Sequence, residues 1–249
     1  MCRIFAVRSS QPISVKPAFD GLRALAAEHK DGWGVAIFEG CETTSGDACS
    51  PTVEKRVHSA QECRRFDELG HRAVQSIAVH IRLASVGTVH QRNNHPFLAK
   101  PWVFMHNGTL KNFEQHRADF EAQIAPEFRQ FTGETDSERC FGLFRTFLGA
   151  RTAFDDVVDA LTRTFRTAER LCDDASPGKR SAMNFLVTDG ARFFCTRRDR
   201  TLFYASSPTL AAIASERLPL EGAEWQEVPL DSMVTIDEAL QLRVRPLAP

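Results

Sequence analysis

No apolar run in this chain approaches the roughly 20 residues of a membrane span. The first residues, Met1-Cys2-Arg3-Ile4-Phe5-Ala6-Val7, lack the basic segment and apolar core of a secretory signal. Together the two absences predict a cytoplasmic protein with no membrane partner. Net charge is also nearly absent, at −1, so no global field draws the chain toward nucleic acid. The seven cysteines, Cys2, Cys41, Cys49, Cys63, Cys140, Cys172 and Cys195, contain no C-x-x-C pair. An odd number without that spacing supports neither a zinc site nor a disulfide framework, so no metal is expected. Cys41 and Cys49 could pair across the Gly/Ser/Thr-rich stretch between them, but the cytosol keeps thiols reduced. Cys63, Cys140, Cys172 and Cys195 read as small buried apolar residues. Neither G-x-x-x-x-G-K-S/T nor G-x-G-x-x-G occurs, which leaves no phosphate-binding turn and no expected cofactor. Repeats, linkers and low-complexity tracts are missing as well. What remains is 249 residues of ordinary globular composition, read as a single domain over residues 1–249.

Apolar spacing divides the chain into three parts. Short strands come first: Cys2–Val7, Trp33–Phe38, Thr52–Val57, Val74–Ile81 and Val103–His106, with helices at Phe19–Ala27 and Gln61–Leu69. Two longer helical patterns follow, Asp136–Leu148 and Phe154–Leu171. Strands then return at Met183–Val187, Arg192–Thr196, Leu202–Ser206, Ala211–Ala214 and Met233–Ile236. Asp189-Gly190 lies between two of these as a short hairpin signal. Strands, helices, then strands again predict an α+β protein with helices layered on sheets.

Five segments carry chemistry. Cys2 follows a removable initiator Met1. A terminal Cys holds a thiol beside its own α-amine, whose reference pKa of about 7.7–8.0 suits a general base near neutral pH. His29-Lys30-Asp31-Gly32-Trp33-Gly34 brackets an aromatic with glycines before a strand, which permits close backbone approach. His80-Ile81-Arg82-Leu83-Ala84-Ser85-Val86-Gly87 ends an apolar strand in Arg82, a side chain suited to bidentate carboxylate binding. His106-Asn107-Gly108 reads in two ways. Asn-Gly is the favoured pair of a tight hairpin turn. It can also supply an amide and a backbone N–H to one oxyanion. Gly133-Glu134-Thr135-Asp136-Ser137-Glu138 is either an acidic helix start or a carboxylate placed for a substrate ammonium.

In combination, with Asn94-His95-Pro96-Phe97 and Phe185-Leu186-Val187-Thr188-Asp189-Gly190, these segments resemble the class II glutamine amidotransferases, N-terminal nucleophile hydrolases, and most of all their stand-alone YafJ-type members. The resemblance implies a four-layer αββα sandwich. It implies that Cys2, freed of Met1, attacks the glutamine amide carbon, with its α-amine as proton carrier and Asn107 and Gly108 as the oxyanion hole. Arg82 would take the substrate α-carboxylate and Asp136 its α-ammonium. Ser85 stands near the substrate, where many relatives have Thr, and Val86 where many have His. The substrate would be glutamine or another γ-glutamyl small molecule. Because no acceptor chemistry is visible in the sequence, a separate ammonia-accepting synthase is one expected partner. Hydrolysis of another γ-glutamyl amide and a non-catalytic binding module are the competing readings.

Overall fold

The computed structural model describes residues 2–39, 50–173 and 180–247. Cys41 and Cys49, and hence their pairing, lie outside the described residues, as do most of the polar stretch Glu39–Pro51, which reads from its sequence as a surface loop, and much of Asp173–Arg180, which reads as another.

Thirteen strands are described: β1 (Arg3–Ser14), β2 (Trp33–Glu39), β3 (Ser50–Arg56), β4 (Ala73–Ile81), β5 (Phe97–Ala99), β6 (Trp102–Thr109), β7 (Ala182–Thr188), β8 (Phe193–Arg197), β9 (Phe203–Ser207), β10 (Leu210–Ala214), β11 (Gln226–Glu227), β12 (Ser232–Ile236) and β13 (Leu242–Pro246). They form two antiparallel sheets, ordered β11-β9-β10-β1-β4-β2-β3 and β13-β12-β8-β7-β6-β5. Five helices accompany them: α1 (Lys16–Leu25), α2 (Arg64–Gly70), α3 (Phe113–Ala122), α4 (Asp136–Leu148) and α5 (Phe154–Cys172).

The period of two along each strand explains the layering. In β1, Phe5 and Val7 turn outward and pack with Phe19 and Leu22 of α1 and Phe66 of α2. Ile4 and Ala6 turn inward, with Ala36 and Ala78, to meet Met105, Leu186, Cys195 and Val234 of the second sheet. The outer face of that sheet, through Phe104 and Phe185, packs with Phe141 and Phe144 of α4 and Leu161 and Phe165 of α5. Helix, sheet, sheet and helix therefore stack in four layers, the αββα sandwich expected. Each fully buried Phe or Leu contributes about 1.5–3 kcal/mol to holding the layers. Among the described residues no helix is long and apolar enough to cross a membrane.

Four differences from the sequence reading have physical reasons. Strand β6 does not stop at His106. It runs through Asn107 and Gly108 to Thr109, paired with β7 in the register Asn107↔Asn184 and Gly108↔Met183. The hairpin-turn reading of Asn107-Gly108 is thus corrected, because strand pairing overrides the local turn preference. The Asp189-Gly190 hairpin does join β7 to β8, but through a longer connection in which Thr188 pairs with Phe193. Helix α3 was not predicted, since only Phe113 and Phe120 of it are buried and its sequence shows little apolar stripe. Cys63 is half-buried beside α2, unlike Cys140, Cys172 and Cys195, which are buried.

Candidate active site

The alternation that builds the seam between the sheets also places the chemistry. Cys2 continues the inward series of Ile4 and Ala6. Asn107 continues the inward series of Val103 and Met105. Both therefore reach one end of the inter-sheet seam, where a cleft of about 140 Å3 is lined by Cys2, Leu83, Ala84, Ser85, Asn107, Gly108, Thr109 and Arg200. Four of the predicted site residues, Cys2, Ser85, Asn107 and Gly108, meet there.

Two polar groups of β6 stand at the cleft. Asn107 is buried, and its Oδ1 has no hydrogen-bond partner. Gly108 is set by strand chemistry. Its partner Met183 donates its N–H to the Arg198 carbonyl at 3.1 Å, and its carbonyl accepts from Thr196 Oγ1 at 2.8 Å, so the Met183 backbone faces β8. In an antiparallel pair the facing residue must then turn its own N–H away from β7. On that side β5 covers β6 only as far as Phe104, which leaves the Gly108 N–H outside the ladder. Only glycine fits there: a Cβ at 108 would lie 1.9 Å from the Ala182 carbonyl oxygen and 2.6 Å from His106 Nε2.

Among the described residues the Cys2 sulfur has one hydrogen-bonding neighbour. Leu83 N–H donates to Cys2 Sγ at 3.4 Å, and the thiol reaches the Leu83 carbonyl at the same distance. Burial pushes the Cys2 thiol up, opposed by the Leu83 hydrogen bond and the Arg82 charge. A thiol held up in this way could act as a nucleophile only with a base beside it. No described histidine bonds to its sulfur, so a Cys–His pair is not the source of that base.

Arg82 and Asp136 stand beside the cleft and do not line it. The Arg82 guanidinium is buried and donates to the carbonyls of Val86 at 2.9 Å and Thr88 at 3.2 Å and to Asn94 Oδ1 at 3.3 Å. It forms no ion pair among the described residues, and burial lowers its pKa. Its hydrogen-bond acceptors are neutral, and the charges of Asp31, Asp136 and Glu134 offset part of its burial. Asp136, at the first position of α4 behind its cap Thr135, accepts from Leu110 N–H and Ser137 N–H, both at 2.8 Å. In this state its carboxylate anchors β6 to α4.

The supporting roles of Asp31, Glu134 and Arg200 are not read from the sequence, while the close backbone approach at Gly34 is. Asp31 Oδ2 accepts from Ala84 N–H at 2.7 Å and so fixes the loop after Arg82. Glu134 accepts from Thr88 N–H at 3.1 Å and pairs with Arg92 at 2.6 Å, tying the same loop down from the other side. Gly34 lets the chain at His95 lie against β2, since a Cβ there would be 1.9 Å from the His95 carbonyl oxygen. Arg200 reaches the cleft from the loop after β8, and its side chain pairs with exposed Asp199 at 3.1 Å. No local pattern marks it.

Behind the cleft lie three buried histidines. The His80 and His95 rings stack with centroids 4.2 Å apart, and His80 Nε2 bonds the His106 carbonyl at 3.2 Å. Burial drives His80 down to about 3 and His95 well below its ordinary value, and it lowers His106 against the pull of Asp136. The folded rings stay neutral where unfolded ones, with a pKa of about 6.5, take up protons. The unfolded state then binds more protons, so stability should fall as pH drops below about 6.5, by up to about 1.4 kcal/mol per pH unit for each ring. The share from His80 should level off near 3. Urea midpoints at pH 7 and pH 5 check this: a clearly lower midpoint at pH 5 is expected, and equal midpoints would contradict neutral burial.

A thiol, an amide and a strand-end N–H meet at the open end of a four-layer αββα sandwich, an arrangement that fits an amide-cleaving enzyme. The chain belongs to the class-II glutamine amidotransferases, whose family model matches residues 1–229. Among relatives, a Saccharomyces cerevisiae protein described as a probable glutamine amidotransferase, DUG3, is 26% identical over 95% of this chain and 82% of its own length. YafJ of Escherichia coli, whose description as a glutamine amidotransferase is equally provisional, is 27% identical over 76% of this chain and 70% of its own. The structure of a glutamine aminotransferase class-II domain protein from Silicibacter pomeroyi superposes with a TM-score of 0.72 at 25% identity, covering 100% of both chains.

Proposed function

We propose that this chain, acting as one domain in the cytoplasm, hydrolyses the side-chain amide of glutamine through Cys2. The observation that carries the reading is the meeting of Cys2, Asn107 and Gly108 in one cleft. Removal of Met1 frees the Cys2 α-amine. As the sulfur attacks the amide carbon, its proton passes to that amine. The carbonyl oxygen becomes an oxyanion held by the Asn107 amide and the Gly108 N–H. Collapse expels ammonia, which takes the proton from the ammonium. Water, deprotonated by the same amine, then cleaves the thioester to release glutamate. Arg82 exchanges loop carbonyls for the substrate α-carboxylate, Asp136 supplies the charge that faces the α-ammonium, and Ser85, bonded to Thr109 at 2.8 Å, closes the wall. The ammonia passes to a separate synthase.

A second reading rests on Arg200, a cation on the cleft that neither end of free glutamine requires. It favours a γ-glutamyl amide whose leaving part carries a carboxylate. A substrate panel separates the two: glutamine, asparagine, glutathione and larger γ-glutamyl amides at matched concentration. Preference for glutamine supports the leading reading, much faster turnover of an anionic conjugate selects the second, and turnover of none would return the chain to a binding module. Under either enzyme reading Arg82→Lys should fail to restore activity, because an ammonium cannot form the bidentate fork. Full kcat/KM in Arg82→Lys would remove Arg82 from substrate binding.

A further inference from the structure

A second cavity, of about 360 Å3, lies apart from the Cys2 cleft and shares no lining residue with it. It opens where the edge strand of each sheet, β3 and β5, meets one face of α4. Four phenylalanines stand in its mixed walls: Phe97 from β5, Phe141 from α4, and Phe128 and Phe131 from the segment between α3 and α4. Such flat apolar walls around a few polar groups are what small-molecule sites present.

The charges on the wall divide into committed and uncommitted groups. Arg92 is paired with Glu134 at 2.6 Å. Glu138 accepts from Thr132 N–H and Gly133 N–H, each at 2.9 Å, and pairs with Arg139 at 3.2 Å. Lys55 and Arg145 are different. Neither forms an ion pair among the described residues, and each is held instead over an aromatic ring. The Lys55 ammonium lies 5.6 Å from the Phe97 centroid, and the Arg145 guanidinium lies 4.3 Å from that of Phe128. A ring face positions a cation without neutralising it. Partial burial lowers the pKa of both groups; the Glu138 charge offsets part of this at Lys55, and no described charge offsets it at Arg145. Surface lysines and arginines that only cover apolar area keep their heads in water, and these two line a cavity.

We infer that this cavity binds a small organic anion, its flat ring system among the phenylalanines and its carboxylate, sulfonate or phosphate drawn to Lys55 and Arg145. The ring supplies the apolar contact and the anion supplies the missing charge, so neither half alone should bind well. The site does not depend on the glutaminase reading.

Titration calorimetry on the full chain tests it, with naphthalene-2-sulfonate and phenyl phosphate as probes and inorganic sulfate as the ring-free control. Saturable one-to-one binding of at least one aromatic probe is expected, with sulfate much weaker. Lys55→Met and Arg145→Met should each weaken that binding by about tenfold or more, the scale of a lost charge-assisted contact. Arg145→Lys should retain part of it. Alkylating Cys2 with a glutamine-derived diazoketone should leave it unchanged, which separates this site from the catalytic cleft. Thermal melts identify any variant that fails to fold, and Lys55→Gln and Arg145→Lys then carry the comparison. The inference is overturned by any one of four results: no saturable binding of either aromatic probe, sulfate binding as tightly as they do, unchanged affinity in folded variants at both positions, or loss of binding on Cys2 alkylation.

Discussion

Replacing Cys2 with alanine is expected to abolish glutamine hydrolysis, with kcat falling by a factor on the order of 10⁶, the loss that deleting a covalent nucleophile brings. Glutamine binding, measured calorimetrically, should survive, because Arg82 and Asp136 are untouched. The site explains why nothing else can take over. The thiol hydrogen-bonds only with Leu83 among the described residues. Burial lowers the pKa of all three nearby histidines; His80 and His106 are bonded elsewhere, and His95 has no hydrogen-bond partner among the described residues and stacks on His80. Cys2→Ser should leave a slow residual rate, since the α-amine remains and oxygen is the poorer nucleophile. If Cys2→Ala lost glutamine binding along with turnover, Cys2 would be a structural residue of the seam and not the attacking group.

The next largest effect is expected at Asn107. Asn107→Ala should lower kcat by about 10²–10³-fold, as for other side-chain oxyanion donors, while KM changes little. The reason is that its amide acts on charge present only in the transition state. Asn107 is buried at the end of a strand face otherwise made of Val103 and Met105, so the Ala variant keeps the packing pattern. Steady-state kinetics on folded protein decides the matter: a change confined to KM would make Asn107 a binding residue. Gly108→Ala is expected to behave differently, damaging the fold itself, because a Cβ there meets the Ala182 carbonyl oxygen at 1.9 Å.

The contrast between these two residues shows what could be read from the sequence. Asn107-Gly108 was visible as a chemical pair, but its turn propensity pointed to a hairpin, and only pairing with β7 keeps it in a strand. The strand–helix–strand order was legible because β1, β2 and β4 bury both faces, which leaves nearly continuous apolar runs, whereas the four αββα layers came from the family resemblance. Strand β5, three residues long, and α3, with two buried phenylalanines in ten residues, leave too little periodicity to detect. Thr135 and Asp136 were recognisable as a helix start because capping is local, and Thr135 Oγ1 does accept from Glu138 N–H at 3.2 Å. Asp31, Glu134 and Arg200 were not, since their roles come from loops brought together by the sandwich. Arg82 and Asp136 were legible as charges. That the first is wrapped in loop carbonyls and the second ties β6 to α4 is a property of tertiary structure alone.

The central claim is that Cys2 works as an amino-terminal nucleophile. Intact mass of the purified protein, taken before and after treatment with a glutamine-derived diazoketone and matched to residual glutaminase activity, tests it most directly. The mass should show Met1 removed, then a single adduct on Cys2 that rises as turnover falls. Full turnover by protein that retains Met1, or an inactivating adduct on any residue other than Cys2, would contradict it.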